Sequence, residues 1–116
     1  MKTDKKNKSL RYPLKNIPDG TAKGFEITDE NARFSIFIAR NGSSVFAYEN
    51  SCPHTGSPLD WVPDQFFCKD GKNLMCATHG AIFEVDTGLC IDGPCIGDSL
   101  RSLEANILEG EVVITF

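Results

Sequence analysis

The chain has 116 residues, 41% of them hydrophobic, 9% aromatic and 24% charged, the make-up of one globular domain and not of a disordered segment. No stretch reaches the ~18–20 apolar residues of a membrane span, and the lysine-rich N-terminus lacks the apolar core of a secretory signal, so a cytoplasmic protein is expected. Residues 1–23 hold seven of the twelve basic groups and two of the sixteen acids, leaving five basic against fourteen acidic residues, a formal −9, in the rest; that acidic body argues against nucleic acid and for a basic protein partner.

Taken in order, residues 1–9 read as a flexible basic arm and 10–116 as a single domain. The stretch LRYPLKNIPDGTAKGFEI suggests one or two strands broken by Pro13 and Pro18. In ARFSIFIAR, Phe34, Ile36 and Ile38 alternate onto one face. Asn41-Gly42 then signals a hairpin, with SSVFAYEN as the returning strand. Lys69-Asp70-Gly71-Lys72 and Asp86-Thr87-Gly88 read as tight turns flanking the apolar runs QFFC, NLMC and AIFEV. ANILEGEVVITF forms a last hairpin about Glu109-Gly110, with Val112, Ile114 and Phe116 on one face. About nine short strands and no helical period indicate an all-β antiparallel sandwich or barrel.

Both histidines lie in short glycine-ended stretches that also carry cysteine: CPHTG at 52–56 and CATHG at 76–80. Cys52, His54, Cys76 and His79 fill four coordination positions. Tetrahedral zinc accepts that set, but a Cys₂His₂ finger groups its cysteines together and its histidines together. One of each per loop suits a two-iron cluster, with thiolates on one iron and imidazoles on the other. Gly56 and Gly80 close the loops where a side chain would crowd such a cluster and where φ > 0 turns backbone N–H groups inward.

CPHTG, CATHG and the following AIFEVDTGLCIDGPCIGDSL resemble the Rieske [2Fe–2S] family over about residues 10–116. The resemblance implies a β-sandwich with a small cluster-binding subdomain. It implies Cys52 and Cys76 on the buried iron, His54 and His79 on the outer, surface-facing iron, and Pro94 covering one side in a rigid third loop. It further implies a ferredoxin-like carrier, fed by a flavin reductase and delivering to an oxygenase or reductase. The alternatives are a small Rieske subunit of a multi-subunit reductase, of the nitrite-reductase type, or an iron–sulfur sensor. With both histidines committed to the cluster, none remains for a mononuclear oxygenase iron, and no G-x-G-x-x-G element offers a nucleotide site.

Four departures bear on the expectation. Ala77 stands where many members have proline. The segment from Thr55 to Met75 is long, so the loop about Trp61-Val62-Pro63 reads as an elaboration. Ser57 and Thr78 occupy the places of a loop-bridging cystine in high-potential members. Ala81 and Phe83 replace the serine and tyrosine whose hydroxyls donate to sulfur there. Lacking those donors, within an acidic body, the centre should lie at the low end of the ≈ −150 to +300 mV Rieske range. Asp60, Asp64, Asp92 and Asp98 are candidates for steering a basic partner. Cys68 reads as a buried small hydrophobe, and Trp61, Phe66, Phe67 and Phe83 as packing. Cys90 and Cys95 flank Ile-Asp-Gly-Pro, close enough in sequence to meet near the site, where a disulfide is the alternative to the free thiols that a reducing compartment favours.

Overall fold

A computed structural model describes residues 9–29, 32–53, 56–60, 62–68, 71–77 and 80–115. Of the expected arm, residues 1–8 lie outside the described set, and Ser9 opens the first strand. The strands are β1 (Ser9–Pro13), β2 (Ala22–Asp29), β3 (Ala32–Asn41), β4 (Ser44–Glu49), β5 (Asn73–Met75), β6 (Ile82–Glu84), β7 (Cys90–Asp92), β8 (Ser102–Leu108) and β9 (Glu111–Thr115). A 3₁₀ turn, Leu14–Asn16, follows Pro13. All strand pairings are antiparallel, in a six-stranded sheet ordered β1-β9-β8-β4-β3-β2 and a three-stranded sheet ordered β5-β6-β7.

Turn chemistry sets the register. Leu108 pairs with Glu111 across Glu109-Gly110, whose φ values of 52° and 80° are the two positive values that a type I′ turn requires. Asn41 pairs with Ser44, so the two-residue loop is Gly42-Ser43, one position later than the Asn-Gly signal implies. Gly42 (φ 65°) supplies the left-handed residue, and its N–H donates to Asp19 Oδ1 at 2.6 Å.

The six-stranded sheet closes over one core. Ile36 and Ile38 from β3, Ala47 from β4, and Val112 and Ile114 from β9 pack there with Ile17, all but fully buried. Burying each large aliphatic side chain contributes about 1.5–3 kcal/mol. The alternation expected of β3 and β9 is borne out at those residues; the side chains of Phe34 and Phe116 lie outside the described set.

The opposite face of β3 was not anticipated as core. Phe37 and Ala39 are also fully buried, in a second core shared with Tyr48, Leu59, Phe66, Leu74, Phe83 and four cysteines. Phe37 stacks on Phe66 with ring centroids 4.2 Å apart and planes 13° from parallel. β3 is therefore the wall between the large sheet's core and the small sheet. The QFFC run forms no strand of its own, since Phe67 makes only an isolated bridge to Leu74. Cys68 is partly exposed and points to Leu74 O at 3.8 Å, a correction to its reading as a buried hydrophobe.

Candidate metal centre

Two loops of the same design sit at one end of the small subdomain. The first leaves β4: Cys52 N–H donates to Ser57 O at 2.8 Å, and Gly56 N–H donates back to Cys52 O at 2.7 Å. The second joins β5 to β6 beyond the Met75–Ile82 pair: Cys76 N–H donates to Ala81 O at 2.9 Å, and Gly80 N–H to Cys76 O at 2.8 Å. Each cysteine thus makes bonds to the residues four and five positions on. The glycines supply the left-handed conformation, φ 78° at Gly56 and 72° at Gly80, that closes so tight a loop.

Both cysteine side chains point inward, Cys52 at 1% and Cys76 at 0% exposure. Among the described residues no charged side chain is buried with them. His54 and His79, with Thr55 and Thr78, lie outside the described residues. The donor set that is described, two buried sulfurs in twin loops, fits the inner half of a cluster held by Cys at one end and His at the other.

The segment after the first loop locks the two together. Leu59, fully buried, donates its N–H to Asn50 Oδ1 at 2.7 Å, and its carbonyl accepts from Ala77 N–H at 2.9 Å. A proline at position 77 would lack that N–H, so the departure at Ala77 gives the second loop a tether. Asn50 also donates to Asp60 Oδ1 at 2.9 Å, and Asp60 Oδ2 accepts from Asp64 N–H at 3.1 Å. Asp64, at φ 69°, pairs with Lys23 at 3.2 Å and accepts from Gly24 N–H at 2.8 Å. The elaboration expected about residues 61–63 is therefore pinned to β2, although Trp61 itself lies outside the described residues.

Those bonds also sort the four candidate steering carboxylates. Asp60 and Asp64 are engaged in holding the loop. Asp92 and Asp98 are exposed, with Asp92 Oδ1 accepting from Gly93 N–H at 2.9 Å.

A third loop, residues 93–97, touches both of the others. A Cβ on Gly93 (φ 99°) would lie 2.8 Å from Ala81 Cα, so this backbone rests directly on the second loop. Pro94 is exposed, while Cys95 turns inward at 3% exposure, beside Cys90 and in hydrogen-bonding contact with Cys52. Burial first, then the neighbouring Cys90 and Cys52 sulfurs, pushes the Cys95 thiol up to about 12, so it keeps its proton at neutral pH. This sulfur beside Cys52 is announced by no ligand motif; the only sequence signal is the short spacing Cys90-Ile-Asp-Gly-Pro-Cys95. Ala81 and Phe83, which carry no hydroxyl donor, are both fully buried in this core.

Comparison with known proteins bears on the same residues. The family model of the Rieske [2Fe-2S] domain matches residues 9–107. The ferredoxin of carbazole 1,9a-dioxygenase from Nocardioides aromaticivorans IC177 superposes with a TM-score of 0.69 at 22% identity, over 91% of this chain and 95% of that one. A chain from the complex of reduced oxygenase and oxidized ferredoxin in carbazole 1,9a-dioxygenase gives 0.71 at 25% identity, over 92% of each. The terminal oxygenase of carbazole 1,9a-dioxygenase from Novosphingobium sp. KA1 gives 0.75 at 19% identity, over 94% of this chain but 30% of that one. No curated protein matches the chain.

Proposed function

The chain belongs to the Rieske [2Fe–2S] domain family, and on that premise we propose that it is a one-electron carrier, passing electrons from a flavin reductase to an oxygenase or a similar acceptor. Cys52 and Cys76 hold the inner iron, and His54 and His79 the outer one. When bound, the cluster supplies reversible one-electron chemistry. Gly56 and Gly80 shape the ligand loops, and Pro94 covers one side. The family fit and the ferredoxin-like fold favour this reading; the single observation that carries it is the pair of identically bonded loops, each aiming one buried cysteine into the same core.

The protein's own contribution is to exclude water and to hold still. Leu59, Phe83 and Cys95 close the sulfur side, and the Asn50–Leu59–Ala77 hydrogen bonds fix the spacing between the loops. A rigid, dry inner end limits rearrangement as charge changes. The reading includes a cytoplasmic setting, a reducing compartment in which cysteines serve metals rather than disulfides. No helix among the described residues is long and apolar enough to cross a membrane.

Anaerobic purification, with iron and sulfide counted and EPR spectra recorded before and after dithionite, tests the assignment. Two irons and two sulfides with mixed nitrogen and sulfur ligation are expected. Replacing His54 or His79 with alanine should abolish the spectrum. Stoichiometric zinc, or a spectrum untouched by both substitutions, defeats the proposal. The carrier role is then read by stopped-flow oxidation of the reduced protein with an oxygenase of the carbazole-dioxygenase type.

A further inference from the structure

Cys90 and Cys95 are buried beside the ligand loops but belong to neither. Cys90 opens β7 at 1% exposure, Cys95 lies in the third loop at 3%, and their Sγ atoms stand 3.1 Å apart. Backbone bonds hold the two in place: Cys90 N–H to Asp98 O at 2.8 Å, Gly97 N–H to Cys90 O at 3.3 Å, and Asp98 N–H to Cys95 O at 2.9 Å. A disulfide needs its sulfurs at about 2.05 Å, so bond formation asks for a side-chain adjustment of about 1 Å. Cys68, by contrast, points away to Leu74 O.

We propose that Cys90 and Cys95 form a thiol–disulfide site of their own, a two-electron couple seated against the one-electron centre. The oxidant is a low-molecular-weight disulfide of the glutathione class. One protein thiolate attacks a sulfur of that disulfide, leaving a mixed disulfide and releasing one small thiolate. The second protein sulfur, giving up its proton, attacks the protein sulfur of the mixed disulfide and releases the other small thiolate. One S–S bond breaks in the reagent and one forms in the protein; the two protons end on two small thiols, and two electrons leave the protein pair.

Access runs through the turn at 93–97, where Pro94, Ile96 and Gly97 are exposed. Both thiols are covered, so the reaction proceeds through local opening of that turn and is slow beside the exchange of free thiols. Oxidation ties the third loop to β7 and removes the thiol proton beside Cys52. The second consequence rests on Cys52 being a cluster ligand; the disulfide itself does not.

The test uses the iron-loaded protein, incubated anaerobically over a range of oxidised-to-reduced glutathione ratios. Free thiols are trapped with iodoacetamide, and peptides are weighed after digestion, with iron content and visible spectrum recorded on the same samples. The expected product is a Cys90–Cys95 peptide two hydrogens lighter than its reduced form, with neither alkyl group nor bound glutathione. Cys95→Ser should abolish that product. Full alkylation of Cys90 and Cys95 at ratios that modify Cys68 overturns the proposal, as does a disulfide joining Cys52 to Cys95. Iron retained in full while Cys52 and Cys76 are alkylated would count against the ligand assignment, not against this pair.

Discussion

Gly93 lies so close to Ala81 that a Cβ on the glycine would stand 2.8 Å from the alanine Cα. This contact seats the third loop on the second, and it combines with a φ of 99° that L side chains rarely adopt. Gly93→Ala is therefore expected to destabilise the fold by at least about 1–3 kcal/mol, the usual cost of such backbone strain. Gly110→Ala, at a turn with no atom within 4 Å among the described residues, isolates the strain from the clash. Urea denaturation should rank Gly93→Ala as the more damaging of the two; equal losses would show that the loop contact contributes nothing.

Tyr48 links β4 to the turn after β6, its hydroxyl donating to Val85 O at 2.7 Å from a side chain 2% exposed. Burial, with a smaller contribution from Asp86, pushes the phenol up to about 12. Unfolding returns it to about 10, so between those values the unfolded chain binds fewer protons and stability falls as pH rises. The contribution is complete below pH ~10, and about 2–3 kcal/mol of it is lost by pH ~12. Tyr48→Phe should be less stable at pH 8 by about 1–3 kcal/mol for its unpaired carbonyl, yet show a shallower alkaline decline. Parallel declines in the two proteins would assign the effect to other groups.

Ala81 and Phe83 bring no hydroxyl to the sulfur end of the site. The midpoint potential is expected near the −150 mV end of the Rieske range. Ala81→Ser adds one donor to sulfur and should raise the midpoint by tens of millivolts, a fraction of that ≈ 450 mV span. Protein-film voltammetry checks both statements. A wild-type value near +300 mV would leave the missing hydroxyls without influence.

Asp98 is exposed near the third loop, whereas Asp60 and Asp64 are tied into the loop framework. For a basic redox partner, Asp98→Asn should lower the association rate at low ionic strength and leave the rate at ~1 M salt unchanged, where the Debye length shrinks to about 3 Å. Asp60→Asn should instead act on stability. Stopped-flow kinetics across a salt series separates them, and an identical salt slope for wild type and Asp98→Asn would remove Asp98 from the docking face.

The two glycine-closed cysteine loops and the Glu109-Gly110 turn could be read directly from the sequence because each rests on a local rule: glycine at the end of a tight loop, and positive φ at both turn positions. The two-sided burial of β3 could not. Ile36-Phe37-Ile38-Ala39 is a continuous apolar run, and nothing local tells which neighbour meets Phe37; that partner, Phe66, is 29 positions away in sequence. Asp60 and Asp64 looked like surface charge because their partners, Asn50, Lys23 and Gly24, arrive only through tertiary folding. The run at Phe66-Phe67 left open whether it formed a strand, because hydrophobic pattern alone does not say whether a backbone partner is present.

With Phe37 and Ala39 as its floor, the β5-β6-β7 unit has no hydrophobic interior to call its own. Three strands of three residues each are too few to stand free. The cysteine loops consequently draw their rigidity from the larger sheet, and damage there, however distant from the sulfur atoms, reaches the redox end through β3 and the flanking residues of β2 and β4.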